Sequence, residues 1–401
     1  MTGGIVHVFW MIVHGILLLY LAFGTVYIFL FAVASLFPLR QKKSLTGNLH
    51  RIAVLIPGYK EDSVIVEAAR DALLQDYPRD RFDVIVIADS FQPETLTRLR
   101  ELPVTVMEVS FDQSTKSKAL NKALSQLPDD RFDSVVVLDA DNMMARDFLI
   151  RVNHAFQAGM IAVQGHRVAK NTNTSFAVLD AASEEINNSV FRKGHRRLGF
   201  SSSLIGSGMA FDYRFFKNLM LNIKAVGGFD KEIELKILKD GIIIEYLDQA
   251  LVYDEKVQKE EVFVRQRRRW LSAQLHYASY FGDALKTFFT NGKTDYLDKA
   301  IQMLLPPRIL LIGLLPLMTL ISAFANPWGY TVAWGGLLIL LILTFLFAIP
   351  GRFYNLSTLR AMLSIPRGIL LMMTSLLTTR GANKRFIHTE HTSTSGQKGN
   401  P

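Results

Sequence analysis

Hydrophobic and polar positions divide the chain into three zones. Residues 6–37 are almost continuously apolar or aromatic, and no Asp, Glu, Lys or Arg precedes Arg40. Such a run exceeds the ~20 residues a helix needs to cross a bilayer. It has no basic segment before it, so a membrane helix is predicted rather than a cleaved signal peptide. Residues 309–324 and 331–349 form two more uncharged runs, joined by a short link that carries Trp328 and Tyr330 as interfacial aromatics. Residues 369–379 are too short to span and read as an interfacial or re-entrant helix, and 277–289 as another helix lying on the membrane.

The middle of the chain has a different rhythm. Short apolar, β-branched runs at 52–56, 82–88, 104–109, 134–138, 161–164, 205–211 and 242–247 predict strands. Amphipathic stretches such as 64–74 and 117–127 predict helices between them. Alternation of this kind predicts an α/β fold with a doubly wound sheet. The resulting order is a transmembrane helix and basic flank (1–43), an α/β domain (44–275), interfacial helices (276–308), a transmembrane hairpin (309–350), an interfacial segment (351–390) and a disordered tail (391–401).

Composition and charge narrow this picture. The 401 residues include no cysteine, which removes disulfides, thiolate metal sites and cysteine nucleophiles. Mean hydropathy is +0.20, and the net charge of +9 comes from 45 basic against 36 acidic residues. Arg40, Lys42 and Lys43 follow the first apolar run, and Arg352, Arg360 and Arg367 follow the last. The positive-inside rule then puts the N-terminus outside and the α/β domain in the cytoplasm, at the plasma or inner membrane. Because the basic residues hug the membrane flanks and no RNA-reading motif accompanies them, nucleic-acid binding is not expected.

Candidate chemistry begins at residues 134–141, where a buried strand ends in Asp139 and Asp141. Alternate positions of an extended chain point the same way, so both carboxylates address one spot beyond the strand ends, where open α/β sheets bind ligands. Paired hard oxygens suit Mg²⁺ or Mn²⁺. An isolated Asp-x-Asp triplet is as readily an Asx-type turn. Asp89, a second carboxylate where a strand stops, tips the reading towards a ligand crevice, with Tyr59 and Glu61 in a polar turn after the first strand. Lys116 opens a helix and is either a site residue or a solvated helix start.

Asp89, Asp139-Ala-Asp141, Lys116-x-x-Ala-Leu-Asn121 and Gln266-x-x-Arg269-Trp270 occur in the order and approximate spacing of family 2 glycosyltransferases. The chain resembles their processive membrane branch, the cellulose, hyaluronan and poly-N-acetylglucosamine synthases. That resemblance implies a GT-A-like nucleotide-sugar-binding domain inserted between membrane helices. It also implies an inverting, metal-dependent enzyme moving sugar from a UDP-sugar to a growing glycan at the bilayer. Asp89 and Asp139 would contact uridine and ribose, and Asp141, with Asp139 nearby, would hold the metal on the diphosphate. Gln266, Arg269 and Trp270 would serve the acceptor and the leaving diphosphate. Gly206, Ser207 and Gly208 would form a small-residue acceptor strand, or else a strand packed closely on a helix.

The sequence departs from the family's Thr-Glu-Asp base motif. Matching the flanking Gly-Gly-Phe and Glu-Leu puts Glu232 at the base position, with Asp230 as the rival; either can also favour the helix N-terminus. Phe386, Thr389 and His391 resemble the gating segment of cellulose synthases. Three spans are few for a translocation channel, which implies a homo-oligomer or export partner, or else the alternative of transferring a single sugar to a polyprenyl-phosphate or other lipid acceptor. A nucleotide-sugar binder without activity stands as the third reading.

Overall fold

The computed structural model describes residues 2–39, 47–225, 227–258, 260–325 and 328–370. An eight-stranded sheet organises the central part, in the order β3-β2-β1-β4-β7-β6-β8-β5. Its strands are β1 (Ile52–Tyr59), β2 (Phe82–Asp89), β3 (Thr105–Val109), β4 (Ser134–Val137), β5 (Met143–Met144), β6 (Ala162–Ala169), β7 (Met209–Asp212) and β8 (Ile244–Asp254). β1 pairs in parallel with both β2 and β4, and β2 with β3. β7 runs antiparallel to β4 and β6, so the sheet is mixed. Chain order leaves β1 towards β2 and β3, then returns to β4 on its other side. This reversal opens a crevice at the carboxyl ends of β1 and β4.

Burial explains why these runs are strands. Residues 52–56, 84–88 and 135–137 are buried on both faces by two apolar layers, one on each side of the sheet. Parallel strands covered on both faces read as continuous β-branched runs rather than alternating ones. The first strand continues through Pro57 and Gly58 to Tyr59, beyond the polar turn expected there, and pairs Tyr59 with Asp89. Each strand then ends on a non-glycine residue in the left-handed region, Lys60 at φ 54° and Ser90 at φ 61°. Such residues are uncommon and cluster at ligand-binding edges. The strand expected over 205–211 is shorter: it starts at Met209, and Gly206 and Gly208 occupy a turn with φ of 80° and 61°.

The first helix, Thr2–Ser35, and the helix Trp328–Ala348 contain the stretches Met11–Ser35 and Gly329–Ala348, both long and apolar enough to cross a membrane. Among the described residues, a third span exists only if the helices Thr294–Leu304 and Arg308–Ala325, bent by 57° at their break, act as one. The uncharged run at 309–324 thus lies in a helix that meets the spanning criterion only together with its predecessor. The helix Phe281–Asn291 buries Ala284 in the domain core and turns Phe289 outwards. Arg40, Lys42, Lys43, most of 369–379 and the segment with Phe386, Thr389 and His391 lie outside the described residues.

The first helix is seated directly on the α/β domain. A Cβ on Gly194 would stand 2.1 Å from the Phe31 carbonyl oxygen, and one on Gly24 would stand 2.5 Å from Pro306. Phe31 stacks on the fully buried His195 ring at 3.5 Å, and Tyr27 donates to Asp298 at 2.6 Å.

Candidate active site

A cavity of about 1000 Å³ opens at the β1/β4 crevice and collects most of the residues singled out from the sequence. Tyr59, Glu61, Asp89, Lys116, Asp139, Asp141, Gly206, Asp230, Gln266, Arg269 and Trp270 all line it. Ser207 and Gly208 stand just behind this wall, and Glu232 points elsewhere.

Asp89 is 2 % exposed and accepts from Ser90 Oγ at 2.9 Å. Lys116 begins the helix Lys116–Gln126, capped by Thr115, whose side chain accepts from the Lys118 amide. Its ammonium turns inwards, pairs with Asp139 and donates to the Gly206 carbonyl at 2.8 Å. The solvated-helix-start reading of Lys116 therefore gives way to a cation that holds Asp139 against the Gly206 turn. That turn is fixed from behind by Gln164, which is fully buried and donates to the carbonyls of Ser207 and Gly208 at 3.0 and 3.2 Å. Ser207 Oγ accepts from the Asp139 amide at 2.9 Å. A Cβ on Gly208 would meet Val252 at 2.8 Å, so this glycine is required by both φ and space. Gln164 carries no sequence motif, and its importance shows only when β6 is laid beside β7.

Asp141 is buried, with Asn142 Nδ2 at 3.2 Å and the Glu255 amide at 3.4 Å from its oxygens. The same Asn142 amide group donates to Asp254 at 3.0 Å. Among the described residues no three or more His, Asp or Glu side chains converge as a complete metal cage. This donor set fits a divalent ion of the kind that takes one or two protein carboxylates and completes its shell with phosphate oxygens and water. Asp139 is already engaged by Lys116.

The other wall comes from two helices. Phe229–Asp240 starts after Gly228, at φ 67°, where a Cβ would meet Ala273 at 3.0 Å and Tyr277 at 3.2 Å. Only glycine brings this helix so close to Glu260–Tyr277, which carries Gln266, Arg269 and Trp270. Asp230, in the first turn, faces the cavity with Lys231 Nζ 3.6 Å away. Burial disfavours the Lys231 charge, yet Glu234 and Asp230 outweigh it and hold its pKa above the ordinary lysine value. Burial pushes the Arg269 guanidinium below its usual pKa, against the fields of Asp139 and Asp230, both of which it therefore senses. Gln266 Oε1 is buried with no hydrogen-bond partner among the described residues. Glu232 accepts from the Ala225 amide at 2.9 Å and from Lys236 at 2.8 Å. Its carboxylate braces the 224–225 loop, and of the two acidic residues it is Asp230 that fronts the cavity.

Comparison with known proteins places this geometry. The family described as glycosyltransferase like family 2 matches residues 50–273, the α/β domain and its last helix. The beta-monoglucosyldiacylglycerol synthase of Trichormus variabilis is 26% identical over 294 residues, covering 69% of this chain and 61% of that protein. The enzyme of the same name from a Nostoc species is 26% identical over 298 residues, covering 70% of this chain and 62% of its own length. The chain thus spans about three fifths of these curated relatives. Among solved structures, a mannosyltransferase of Pyrobaculum calidifontis in complex with GDP-Man and Mn²⁺ is similar with a TM-score of 0.49 and 18% identity, over 83% of this chain and 98% of that one.

These matches correct the expected place in the processive branch. The relatives are named for a glycolipid product, and none of them is a cellulose, hyaluronan or poly-N-acetylglucosamine synthase. The expected GT-A-like α/β domain with flanking membrane helices stands.

Proposed function

The chain belongs to glycosyltransferase family 2, and from that premise we propose that it transfers a single sugar from a UDP-sugar to a lipid acceptor, with inversion. One observation carries this reading. The cavity that begins at Asp89, Asp139 and Asp141 passes Asp230 and continues to Ile312 and Phe345 on the two C-terminal apolar helices and to Ile349 just past the second. A donor entering at the sheet and an acceptor entering from the bilayer would meet at Asp230. The names of the two curated relatives, glucosyl transfer to a diacylglycerol lipid, are of the same kind.

In this mechanism Asp89 and Asp139 hold the nucleoside, and Lys116 keeps Asp139 in place through its ion pair. A divalent ion at Asp141 would supply charge neutralisation for the departing diphosphate. Arg269 adds a cation to the same end of the cavity, and Trp270 offers a flat face to the sugar. Gln266 Oε1, buried and unpaired, accepts from a substrate hydroxyl. Asp230 takes the proton of the acceptor hydroxyl as its oxygen bonds to the anomeric carbon. The bond from that carbon to the β-phosphate oxygen breaks, and UDP leaves with the electron pair. One displacement needs one base and no covalent nucleophile. The positive residues after the first helix favour a cytoplasmic site with the N-terminus outside.

The test is transfer of radiolabelled hexose by the full chain in detergent–lipid micelles, from UDP-glucose, UDP-galactose and UDP-N-acetylglucosamine in turn, with Mn²⁺ or Mg²⁺. Label in the organic phase, abolished by Asp141→Asn, is expected. Label retained only in a water-soluble polymer would refute single transfer to lipid.

A further inference from the structure

The part of the cavity nearest the membrane has a feature that donor binding leaves unused. The helix Ser175–Asn187 presents Asp180, Ser183, Glu184 and Asn187 along one face and runs into a π-helical stretch, Asn188–Gly194. π-helical segments are rare and concentrate at functional sites. This one places Arg192, 2 % exposed, so that Nη1 donates to Glu184 at 3.0 Å and reaches Asn188 Oδ1. Arg167 donates to the other Glu184 oxygen at 2.8 Å. Arg267 pairs with Asp180, and Lys256 with Asp254 at 2.7 Å. Among the described residues Arg308 donates only to neutral oxygens, the Ser183 carbonyl at 3.2 Å, Ser183 Oγ at 3.0 Å and Asn187 Oδ1 at 2.9 Å.

Two inventories of this cluster agree. Arg167, Arg192, Lys256, Arg267 and Arg308 bring five cations against the three carboxylates Asp180, Glu184 and Asp254, and all eight residues line the cavity. In addition, Nε of Arg167, Arg192 and Arg267 and Nη1 of Arg308 are buried without an acceptor among the described residues. Buried polar groups are nearly always hydrogen-bonded, and buried cations in excess need a counter-charge. The fork of N–H groups on several guanidiniums matches phosphate oxygens above other anions. Beside Arg308 the wall turns apolar, through Ile309, Ile312, Phe345 and Ile349 to Met362 and Ile365. Charge excess, unfilled donors and a hydrocarbon-lined continuation thus occur together.

We infer that this cluster, with Arg308 and Arg192 at its centre, holds a phosphate on the acceptor, so that the acceptor is a lipid with an anionic, phosphate-bearing headgroup rather than a neutral diacylglycerol. The inference rests on the lipid-acceptor reading and narrows it. The phosphate sits where the arginines meet the apolar wall, the hydrocarbon follows Ile312, Phe345 and Ile349, and the accepting oxygen extends towards Asp230.

The experiment measures binding of dioctanoyl phosphatidate, dioctanoylglycerol and inorganic phosphate to the full chain in uncharged detergent micelles, by tryptophan fluorescence. Phosphatidate is expected to bind at least ten-fold more tightly than dioctanoylglycerol. Arg308→Gln should remove that preference without changing dioctanoylglycerol binding, and Arg308→Lys should retain part of it. UDP binding and melting temperature of each variant report that the fold is intact. Equal binding of the two lipids by the unaltered chain overturns the inference, as does an Arg308→Gln variant that keeps the full preference. Inorganic phosphate competing as well as phosphatidate overturns the lipid source and leaves a free-phosphate pocket. Organic-phase label on a neutral lipid alone overturns this inference and spares the single-transfer reading, whereas a polymer product defeats that reading itself.

Discussion

Exchanging the two acidic residues at the start of the 229–240 helix separates catalysis from support. Asp230→Asn removes the only oxygen charge that this turn presents to the cavity, while its partner Lys231 keeps a shorter pair to Glu234, 3.1 Å against 3.6 Å. Stability should therefore change little. Loss of a general base costs about 10²–10⁴ in rate, or roughly 3–5 kcal/mol of barrier at 1.36 kcal/mol per decade. Glu232→Gln does the reverse. Its two oxygens now serve the Ala225 and Lys224 amides at 2.9 and 3.3 Å and Lys236 at 2.8 Å. A glutamine keeps one acceptor and gives up one charge-assisted bond, worth about 1.5–3 kcal/mol when fully formed. Lys236 is about one third exposed, so solvent screening brings the expected loss nearer to ~1 kcal/mol. The melting temperature should fall by about 2–4 °C for an α/β domain of this size, with kcat within a few-fold of the parent. UDP release under saturating donor, with melting curves on the same preparations, gives both quantities. An inactive Glu232→Gln beside an active Asp230→Asn would refute the assignment of the base.

Further outcomes follow from other parts of the site. Gly208→Ala must take φ 61° and place a Cβ 2.8 Å from Val252; left-handed strain of about 1–2 kcal/mol adds to overpacking of about 1–3 kcal/mol, read as a lower melting temperature and a raised donor KM. Burial alone would raise the Glu184 pKa, but Arg167, Arg192 and Lys256 outweigh it and hold it well below the ordinary value. Its contribution is therefore complete above the unfolded pKa of about 4.3 and is lost as pH falls through the lower folded value. Glu184→Gln should flatten this acid limb of the melting-temperature profile and, by leaving buried arginines uncompensated, cost roughly 3–5 kcal/mol at pH 7; an unchanged acid limb would contradict the network. A chelator should abolish transfer, and added Mn²⁺ or Mg²⁺ should restore it in the parent but not in Asp141→Asn.

Much of the site could be read from the chain because strand ends announce themselves. Asp89 and Asp139 each follow a run of buried β-branched residues, and the sheet order sets both beside one crevice. The Gln266–Trp270 motif likewise faces the same cavity. Which of Asp230 and Glu232 fronts the cavity is harder to read, since the side that a first-turn carboxylate faces depends on helix rotation. Here that rotation is set by Gly228 against Ala273 and Tyr277, forty-five residues and more downstream. Gln164 and the arginine cluster were hidden for a related reason. Arg167, Arg192, Arg267 and Arg308 are scattered over the chain and are brought together by Asp180, Ser183, Glu184 and Asn187 on one helix face. The polymer-synthase expectation rests on motifs at Asp89, Asp139, Asp141 and Gln266–Trp270 that line one cavity, and a cavity edge of this kind does not say whether the acceptor is a growing glycan or a single lipid.

The seating of the first helix bears on how this enzyme may be handled as a recombinant object. Deleting residues 2–35 to obtain a water-soluble fragment would strip the Phe31 ring from His195 and take Tyr27 away from both His195 and Asp298. A fully buried imidazole would become a wet, half-satisfied one, and Val190 and Gly194 beneath it would lose their cover. The same π-helical stretch carries Arg192, so the damage would run straight to the cavity floor. The first helix is therefore a structural layer of the catalytic domain as well as its anchor, and an active preparation has to be extracted with that helix in place.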